Sequence, residues 1–531
     1  MNNTNFENKF AAKPELFINK ISFNDDTSLE LLHNSIVVFT GANNSGKSQV
    51  LKDIDYWFER KRVCPKVIVN IDYEFSGDIE DEPFFSKNFY KDLNGNFVMY
   101  GSRGNAYDKS IIEMHWAQKD LSGELRKLFI KLINTEQRLT TSNAIERNNR
   151  PESHSIFKVY NSNELFQIVS TYFKQAFNTD LVINRNEITD IPLHVGKAPD
   201  VSKYTMAQQE DYYNEVTKLE RLEWQGDGMR SFASILLDTF TSEYTITLID
   251  EPEAFLHPPQ VRLLGKMLAQ NNPTERQLFI STHSEDFLQG LIDANSENVT
   301  IIHINRKDNI NHMSVLQNSD IKKLWSNPIL RYSNILSGLF HEKVVVCESD
   351  YDCLFYQAVM NAICEEKNKI APSVLFTHCG GKGRMKDIVR ALHALKVPVI
   401  AIPDFDIINN SGEFKPLAEA FDITWSELPT KDVYDWLNAN HSIKDNIKRQ
   451  GKSALDGTAS IAYAEIEKTC HLAGLFIVPC GEMECFHKNT LSKADWVFNE
   501  LEKSNLASDS ELSGARAFVQ SIMDFSCDYL R

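Results

Sequence analysis

Residues 34–58 read NSIVVFTGANNSGKSQVLKDIDYWF. An apolar strand over 36–39 runs into a glycine-containing loop, and a helix follows. The loop, Gly41-Ala-Asn-Asn44-Ser-Gly46-Lys47-Ser48, fits G-x-x-x-x-G-K-[ST] in the strand–loop–helix context that the pattern requires. Its glycines let backbone N–H groups curl around phosphate oxygens, and the helix N-terminus adds a favourable dipole. Lys47 would reach the β- and γ-phosphates of ATP, and Ser48 would ligate Mg²⁺.

Working outward, the next matching signal is Thr245-Ile-Thr-Leu-Ile-Asp250-Glu251-Pro-Glu253. An apolar strand over 244–251 would deliver Asp250 to the Mg²⁺ shell. Glu251, beside it, would polarise the attacking water as general base. His283, after a strand over 277–284, is placed to contact the γ-phosphate. Between these segments lies Gln225-Gly226-Asp-Gly228-Met-Arg-Ser231, ahead of a helix over 232–240. Such a turn can offer N–H groups to a phosphate. The plainer alternative is a helix cap at Asp227 or Ser231.

The 531 residues leave room for two to four domains. Hydrophobic residues make up 42% and charged residues 24%, the balance of a globular chain and not of a disordered or collagenous one. No apolar run approaches the roughly 20 residues that span a bilayer. The start, MNNTNFENKF, lacks a basic region followed by an apolar one, so a cytoplasmic protein away from the membrane is expected. Nine cysteines without any C-x-x-C pair point to reduced thiols. His378 with Cys379, or Cys480 and Cys485 with His487, match no zinc spacing and read as ordinary thiols. A net charge of −17 argues against nucleic-acid binding by overall electrostatics and leaves room for a local basic groove.

Residues 70–215 read as an insertion with helices over 124–133 and 207–222, and a polar loop over 140–155. A hairpin is expected over 298–316 with its turn at Asp308 and Asn309. Near residue 337 strands begin to alternate with helices. A buried strand with acids at its carboxyl end is expected in HEKVVVCESD, residues 341–350, and further strands over 373–377, 397–402 and 474–478, with helices near 385–396, 430–440 and 459–471. That alternation implies a parallel sheet covered by helices. Two α/β domains follow, a phosphate-loop ATPase over 1–335 and a second domain over 336–531.

The second domain carries acids at its strand ends: Glu348 with Asp350 and Asp352, Asp404 and Asp406, and Glu482 and Glu484. Parallel strands bring their carboxyl ends to one edge. Asp404 and Asp406, two apart, would share a side of an extended chain. Ionised carboxylates 4 Å apart repel by about 4 kcal/mol at an effective dielectric near 20. A cation is then needed, and hard oxygen ligands without His favour Mg²⁺ or Mn²⁺. Paired ions of this kind cleave phosphodiesters. Lys382, Arg384, Lys386 and Arg390 follow the glycine turn at 380–381 and are candidates to hold a phosphate backbone. Lys488 is a candidate to assist the leaving group.

Segments 36–48, 225–240, 244–258 and 277–284 resemble the ATPase head of the ABC superfamily, in the branch with SMC, recombination-F and OLD (overcoming lysogenization defect) proteins. That resemblance implies two heads sandwiching ATP, with Gly226, Gly228 and Ser231 acting on the nucleotide of the opposing subunit, and hence a homodimer or higher homo-oligomer. The usual L-S-G-G motif is not kept here, and no long coiled-coil arms are present. The acid pattern resembles a TOPRIM domain: Glu348 and Asp352 match its glutamate and the acid four residues later, and Asp404 and Asp406 its D-x-D. Ser349 stands where the family has glycine. Glu484 in CGEMECF matches the late acidic motif of OLD proteins, with Glu482 as the alternative.

An ABC-type head followed by TOPRIM is the order of OLD-family nucleases, including Gabija nucleases and the OLD-type effectors of some retrons. The resemblance implies an ATPase and metal-dependent DNA endonuclease in anti-phage defence. It also admits a reverse transcriptase and its DNA/RNA product as partners. The competing readings are a repair ATPase with an inactive TOPRIM scaffold and a sensing module whose ATPase holds an oligomer together.

Overall fold

The structure, a computed structural model, describes residues 14–58, 65–77, 79, 90–91, 97–100, 106–121, 125–146, 154–187, 189–205, 208–241, 244–307, 310–317, 322, 335–440, 444–488, 491–503 and 505–526. Two compact units divide the chain. One comprises Met1–Thr40 and Asn44–Asn318; the other comprises Ser319–Arg531 with Gly41–Asn43.

In the first unit, β1 (Glu15–Phe23) pairs antiparallel with β2 (Ser28–Glu30) on one side and β4 (Ile68–Ser76) on the other. A six-stranded sheet is built around β3 (Ile36–Thr40). Its remaining strands are β5 (Ile130–Ile133), β6 (Ile246–Asp250), β7 (Gln277–Ser281), β8 (Val299–Lys307) and β9 (Ile310–Gln317). The order is β9-β8-β3-β7-β6-β5, parallel except for the β8–β9 hairpin. The central strands read as apolar runs because both faces are covered. Val37, Phe39, Leu248 and Phe279 are fully buried in one core, each side chain stabilising by about 1.5–3 kcal/mol. Gln277 is a buried exception: its side chain accepts from the Ile18 N–H at 2.9 Å and donates to the Ile18 carbonyl at 2.7 Å, joining β1 to the sheet.

Helix α1 (Lys47–Trp57) follows the phosphate loop. Asp53 on it accepts from the N–H groups of Lys66, Val67 and Ile68 at 2.9, 2.7 and 3.2 Å, which fixes the helix against the start of β4. Helix α2 (Thr135–Thr141) leaves the end of β5, and α3 (Asp227–Phe240) carries the glycine turn in its first residues.

Several expectations are corrected here. Residues 130–133 form an edge strand of the main sheet and not part of a helix, held by parallel pairing with β6, Ile130 opposite Ile246 through Ile133 opposite Ile249. The stretch 70–215, expected as an insertion, thus contributes a strand to the main sheet. The helix expected over 207–222 is shorter, Gln209–Val216. In the polar stretch 140–155, helix α2 runs to Thr141 and Ile145–Glu146 pairs with Asp190–Ile191, while 147–153 lie outside the described residues. The hairpin forms, with its expected turn residues Asp308 and Asn309 also outside the described residues.

The second unit holds a parallel sheet of β10 (Lys343–Cys347), β11 (Val374–His378) and β12 (Val399–Ile402) in the order β11-β10-β12. The expected strand at 474–478 contributes a single parallel bridge, Leu475 to Ala401. Helices α4 (Asp350–Glu366), α5 (Met385–Ala394), α6 (Lys444–Gln450), α7 (Gly457–Ala473), α8 (Lys493–Leu501) and α9 (Ser513–Asp524) belong to this unit. Val345, Phe355, Trp496 and Ala515 meet in its core. Among the described residues, no helix is long and apolar enough to cross a membrane.

Candidate functional sites in the two units

The phosphate loop uses three left-handed positions, Gly41 at φ 144°, Asn44 at 62° and Gly46 at 108°. A Cβ at Gly46 would lie 2.8 Å from Nδ2 of Asn311, so both conformation and space demand glycine there. The order β3-β7-β6 brings Lys47, Asp250 and His283 to one edge of the sheet. Ser48 Oγ donates to Asp250 Oδ1 at 2.8 Å, and the Ser281 hydroxyl bonds the same oxygen. Lys47 is buried, and burial lowers its ammonium to about 8 against the opposing pull of Glu251, Glu253 and Asp250. His283 Nε2 lies 3.1 Å from Glu251 Oε1. Burial, then Lys47, pulls the imidazole down, so at neutral pH it is uncharged and donates to Glu251. Glu253 is pushed up by burial while its Oε1 accepts from the His283 N–H at 2.5 Å.

Helix α3 starts at Asp227, five residues earlier than expected, with Gly226 as its cap. A Cβ at Gly228 would stand 2.6 Å from the Phe255 carbonyl, whereas one at Gly226 would meet open space. The helix therefore approaches the segment after Glu253 as closely as backbone permits. Ser231 has 0% exposure, and its hydroxyl has no hydrogen-bond partner among the described residues. Gly226 and Asp227 are the exposed members of the turn.

In the second unit, Glu348 follows β10, and its Oε1 accepts from the Asp404 N–H at 3.0 Å. Asp352 Oδ2 accepts from the Ser349 N–H and hydroxyl, both at 2.9 Å, while Ser349 caps α4 in return. This capping box fixes Asp352. It also accounts for serine in place of the family's glycine, because Ser349 has φ −130°, which any residue adopts. The free oxygen, Asp352 Oδ1, lies 2.8 Å from Lys493 Nζ.

Burial, then Glu348, pushes Asp404 well above the usual carboxylate range, with Lys493 opposing. Burial likewise raises Glu348 and Glu484. Asp352, Asp404 and Glu484 thus share one field around Lys493, whose ammonium they hold up against its own desolvation, while the lysine that acts on Glu348 is Lys382.

Asp404 and Asp406 do not lie in an extended stretch. The chain turns into a 3₁₀ helix over Phe405–Asn409, and Asp406 Oδ2 pairs with Lys382 at 2.8 Å and Lys448 at 3.3 Å. Lys448 also reaches Glu482 at 3.3 Å. Lys488 is exposed, whereas Lys493 joins Lys382 and Lys448 among the lysines that meet the acids. Of the other basic candidates, Arg384 and Arg390 are exposed and Lys386 is half-buried.

Among the described residues, no group of three His, Cys, Asp or Glu side chains forms a ready metal cage. Lysines supply the counter-charge instead. The donors still fit a hard divalent cation: Asp406 Oδ1 and Glu484 Oε2 are buried without a hydrogen-bond partner among the described residues. The thiol groups are otherwise engaged. Cys480 and Cys485 donate to the carbonyls of Glu482 and Lys448, Cys379 to that of Cys347, and His487 lies 2.9 Å from Glu500 and 2.8 Å from Glu511.

Sequence reasoning missed Lys493, Lys448 and Arg138. Each acts at a distance in sequence from the acids it meets, and no local pattern marks it.

Residues 78–288 match a family described as "AAA domain, putative AbiEii toxin, Type IV TA system". Residues 339–406 match "Overcoming lysogenization defect protein-like, TOPRIM domain". The chain is similar to Endonuclease GajA of Bacillus cereus (strain HuB5-5), at 22% identity over 227 residues, 39% of this chain and 33% of the relative. It is also similar to Old nuclease of Escherichia phage P2, at 27% over 173 residues, 31% of this chain and 28% of the relative. The chain thus spans about a third of the length of the curated relatives it matches. Among solved structures, an SmcHead bound to the C-winged helix domain of ScpA aligns at TM-score 0.34 and 14% identity, covering 57% of this chain and 99% of that one. An Smc head from Pyrococcus furiosus aligns at TM-score 0.33 and 11% identity, covering 59% and 99%. Scores this low add nothing to the fold described above. The chain thus carries a segment that matches an AAA domain, followed by one that matches an OLD-like TOPRIM domain.

Proposed function

We propose that this chain, with the ATPase–TOPRIM order of the OLD family, is an ATP-binding, Mg²⁺-dependent DNA endonuclease of the cytosol that acts in anti-phage defence. The head takes residues 1–335 and the nuclease 336–531. The observation that carries the reading is the gathering of acids after β10 and β12: Glu348 Oε1 accepts from the Asp404 N–H at 3.0 Å, Asp352 meets Lys493 at 2.8 Å, and burial disfavours the charge of Glu348, Asp404 and Glu484.

In the head, Gly41, Asn44 and Gly46 would shape the loop around the phosphates, Lys47 would meet the β- and γ-phosphates, and Ser48 and Asp250 would hold Mg²⁺. Glu251 takes the proton of the attacking water. His283, donating to Glu251, orients that carboxylate. Gly226 and the first N–H groups of α3 would serve the nucleotide of a second head in a homodimer.

In the nuclease, Glu348, Asp352, Asp404, Asp406 and Glu484 would hold Mg²⁺ or Mn²⁺. When bound, such ions activate water and stabilise the leaving oxygen in phosphodiester cleavage. Lys382 and Lys448, paired with Asp406 in this structure, become available to DNA phosphates once that charge is met otherwise. Lys493 stands at the acids and replaces Lys488 as the candidate to assist the leaving group. The resemblance to retron-associated effectors supports a reverse transcriptase and its nucleic-acid product as partners.

A second reading, a repair or sensing ATPase with a structural TOPRIM domain, is favoured by the lysine counter-charges on the acids. Nicking of supercoiled plasmid with Mg²⁺ or Mn²⁺ and ATP separates the two. Wild type should nick and Asp404→Ala should not. Equal nicking by both, or none by wild type with any metal, nucleotide or nucleic-acid activator, refutes the nuclease.

A further inference from the structure

Glu251 stands in a backbone conformation that residues with a side chain rarely adopt, with φ at 49°. Left-handed backbone at a non-glycine residue costs free energy and persists only where its surroundings hold it. Three hydrogen bonds do so here, one of them the local turn in which the Ala254 N–H donates to the Glu251 carbonyl at 3.0 Å. The Glu251 N–H donates to the Ser281 carbonyl at 3.0 Å. The Glu251 carbonyl accepts from Nη2 of Arg138 at 2.9 Å.

Arg138 belongs to no motif read from the sequence. It sits on α2, which leaves the end of β5, and the parallel pairing of β5 with β6 sets it beside the end of the strand that carries Asp250. Its side chain has 0% exposure. The same Nη2 donates to Thr135 Oγ1 at 3.2 Å, whereas Nε and Nη1 are buried with no partner among the described residues. Burial pulls the guanidinium down, and Glu253, Asp250 and Glu251 hold it charged. Helix α2 is fixed in turn by Arg230 of α3, whose Nη2 donates to the Leu139 carbonyl. A buried charge is a poor way to fill space, because an apolar side chain of similar volume stabilises as well or better.

We propose that Arg138 is a positioning residue of the ATPase site, pinning the Glu251 carbonyl so that the strained backbone presents the carboxylate to the nucleotide. The proposal rests on Glu251 acting as general base. Arg138 then controls the rate of hydrolysis and not the affinity for ATP, since the phosphate loop lies on another strand.

The test uses the full chain. Arg138→Met and Arg138→Lys are compared with wild type for ATP turnover, for binding of a fluorescent ATP analogue, and for melting temperature. A displaced general base lowers kcat by about 10- to 100-fold. Arg138→Met should show that loss with analogue affinity within about twofold of wild type, and Arg138→Lys should recover part of the rate. Added to Glu251→Gln, Arg138→Met should cause no further loss, because it acts through Glu251. The proposal is overturned if folded Arg138→Met keeps the wild-type kcat, if rate and affinity fall in the same proportion, or if the double variant loses a further tenfold. Should Arg138→Met fail to fold, Arg138→Lys carries the same comparison of rate with affinity. A wild type that binds the analogue but never hydrolyses ATP overturns the general-base reading itself, a distinct result.

Discussion

Lys47→Met removes the buried ammonium of the phosphate loop and keeps the length of the side chain. Burial lowers Lys47 from 10.5 to about 8, a figure that already includes the attraction of Glu251, Glu253 and Asp250. The difference corresponds to about 3 kcal/mol of lost stability when the group is charged. Water reaching the loop reduces this, so Lys47→Met should stabilise the nucleotide-free protein by about 1–3 kcal/mol at pH 7. The sign with pH follows from proton counting. The folded chain releases this proton near 8 and the unfolded chain near 10.5, so the unfolded state binds more protons between them. Wild-type stability should rise across that window, with the full penalty present below it. The assay is thermal and urea unfolding of both proteins from pH 7 to 10. Lys47→Met should melt higher at pH 7, by about 2–4 °C per kcal/mol in a domain of this size, and the gap should close towards pH 10. ATP should reverse the order, because a ligand at 100 times its Kd adds about 2.7 kcal/mol to the protein that binds it. A Lys47→Met protein that melts at or below wild type at pH 7, or a gap that does not change with pH, refutes the reasoning.

Asp404→Asn should raise the metal-free melting temperature at pH 7. Its carboxyl is pushed up by burial and Glu348, so wild-type stability falls as pH climbs above the ordinary carboxylate value towards the raised one. The same variant should lose the stabilisation that Mn²⁺ gives wild type, read by melts with and without the metal. Lys493→Met leaves Asp352 Oδ1 without its 2.8 Å partner and should destabilise the metal-free protein by about 1–3 kcal/mol, with Mn²⁺ restoring much of it. Asp53→Ala strips three backbone N–H groups of their acceptor and should cost about 3–5 kcal/mol in urea unfolding, among the largest losses in the head. Gly228→Ala sets a methyl 2.6 Å from the Phe255 carbonyl, so steady-state ATP turnover should fall while far-UV circular dichroism is kept.

The sequence by itself determined whatever is written in short stretches. The phosphate loop, the strand ending at Asp250 and Glu251, and the acids after β10 and β12 are local patterns whose chemistry follows from residue type and spacing. The parallel sheets followed from alternating periods, because helices on both faces make the strands uniformly apolar. Residues 130–133 were misread because four residues are too short for periodicity to separate strand from helix. Their pairing with β6 decided the matter.

Only the tertiary structure decided which charges meet. Asp404 and Asp406 are two residues apart yet face Lys493 and Lys382 respectively, since the chain turns between them. Ser231 lies within α3, which begins at Asp227, and is buried there. Arg138 lies 113 residues from the carbonyl that it holds. Spacing along the chain encodes faces and turns over a few residues, whereas ion pairs and backbone clamps between distant segments depend on register and burial, which only the folded packing fixes.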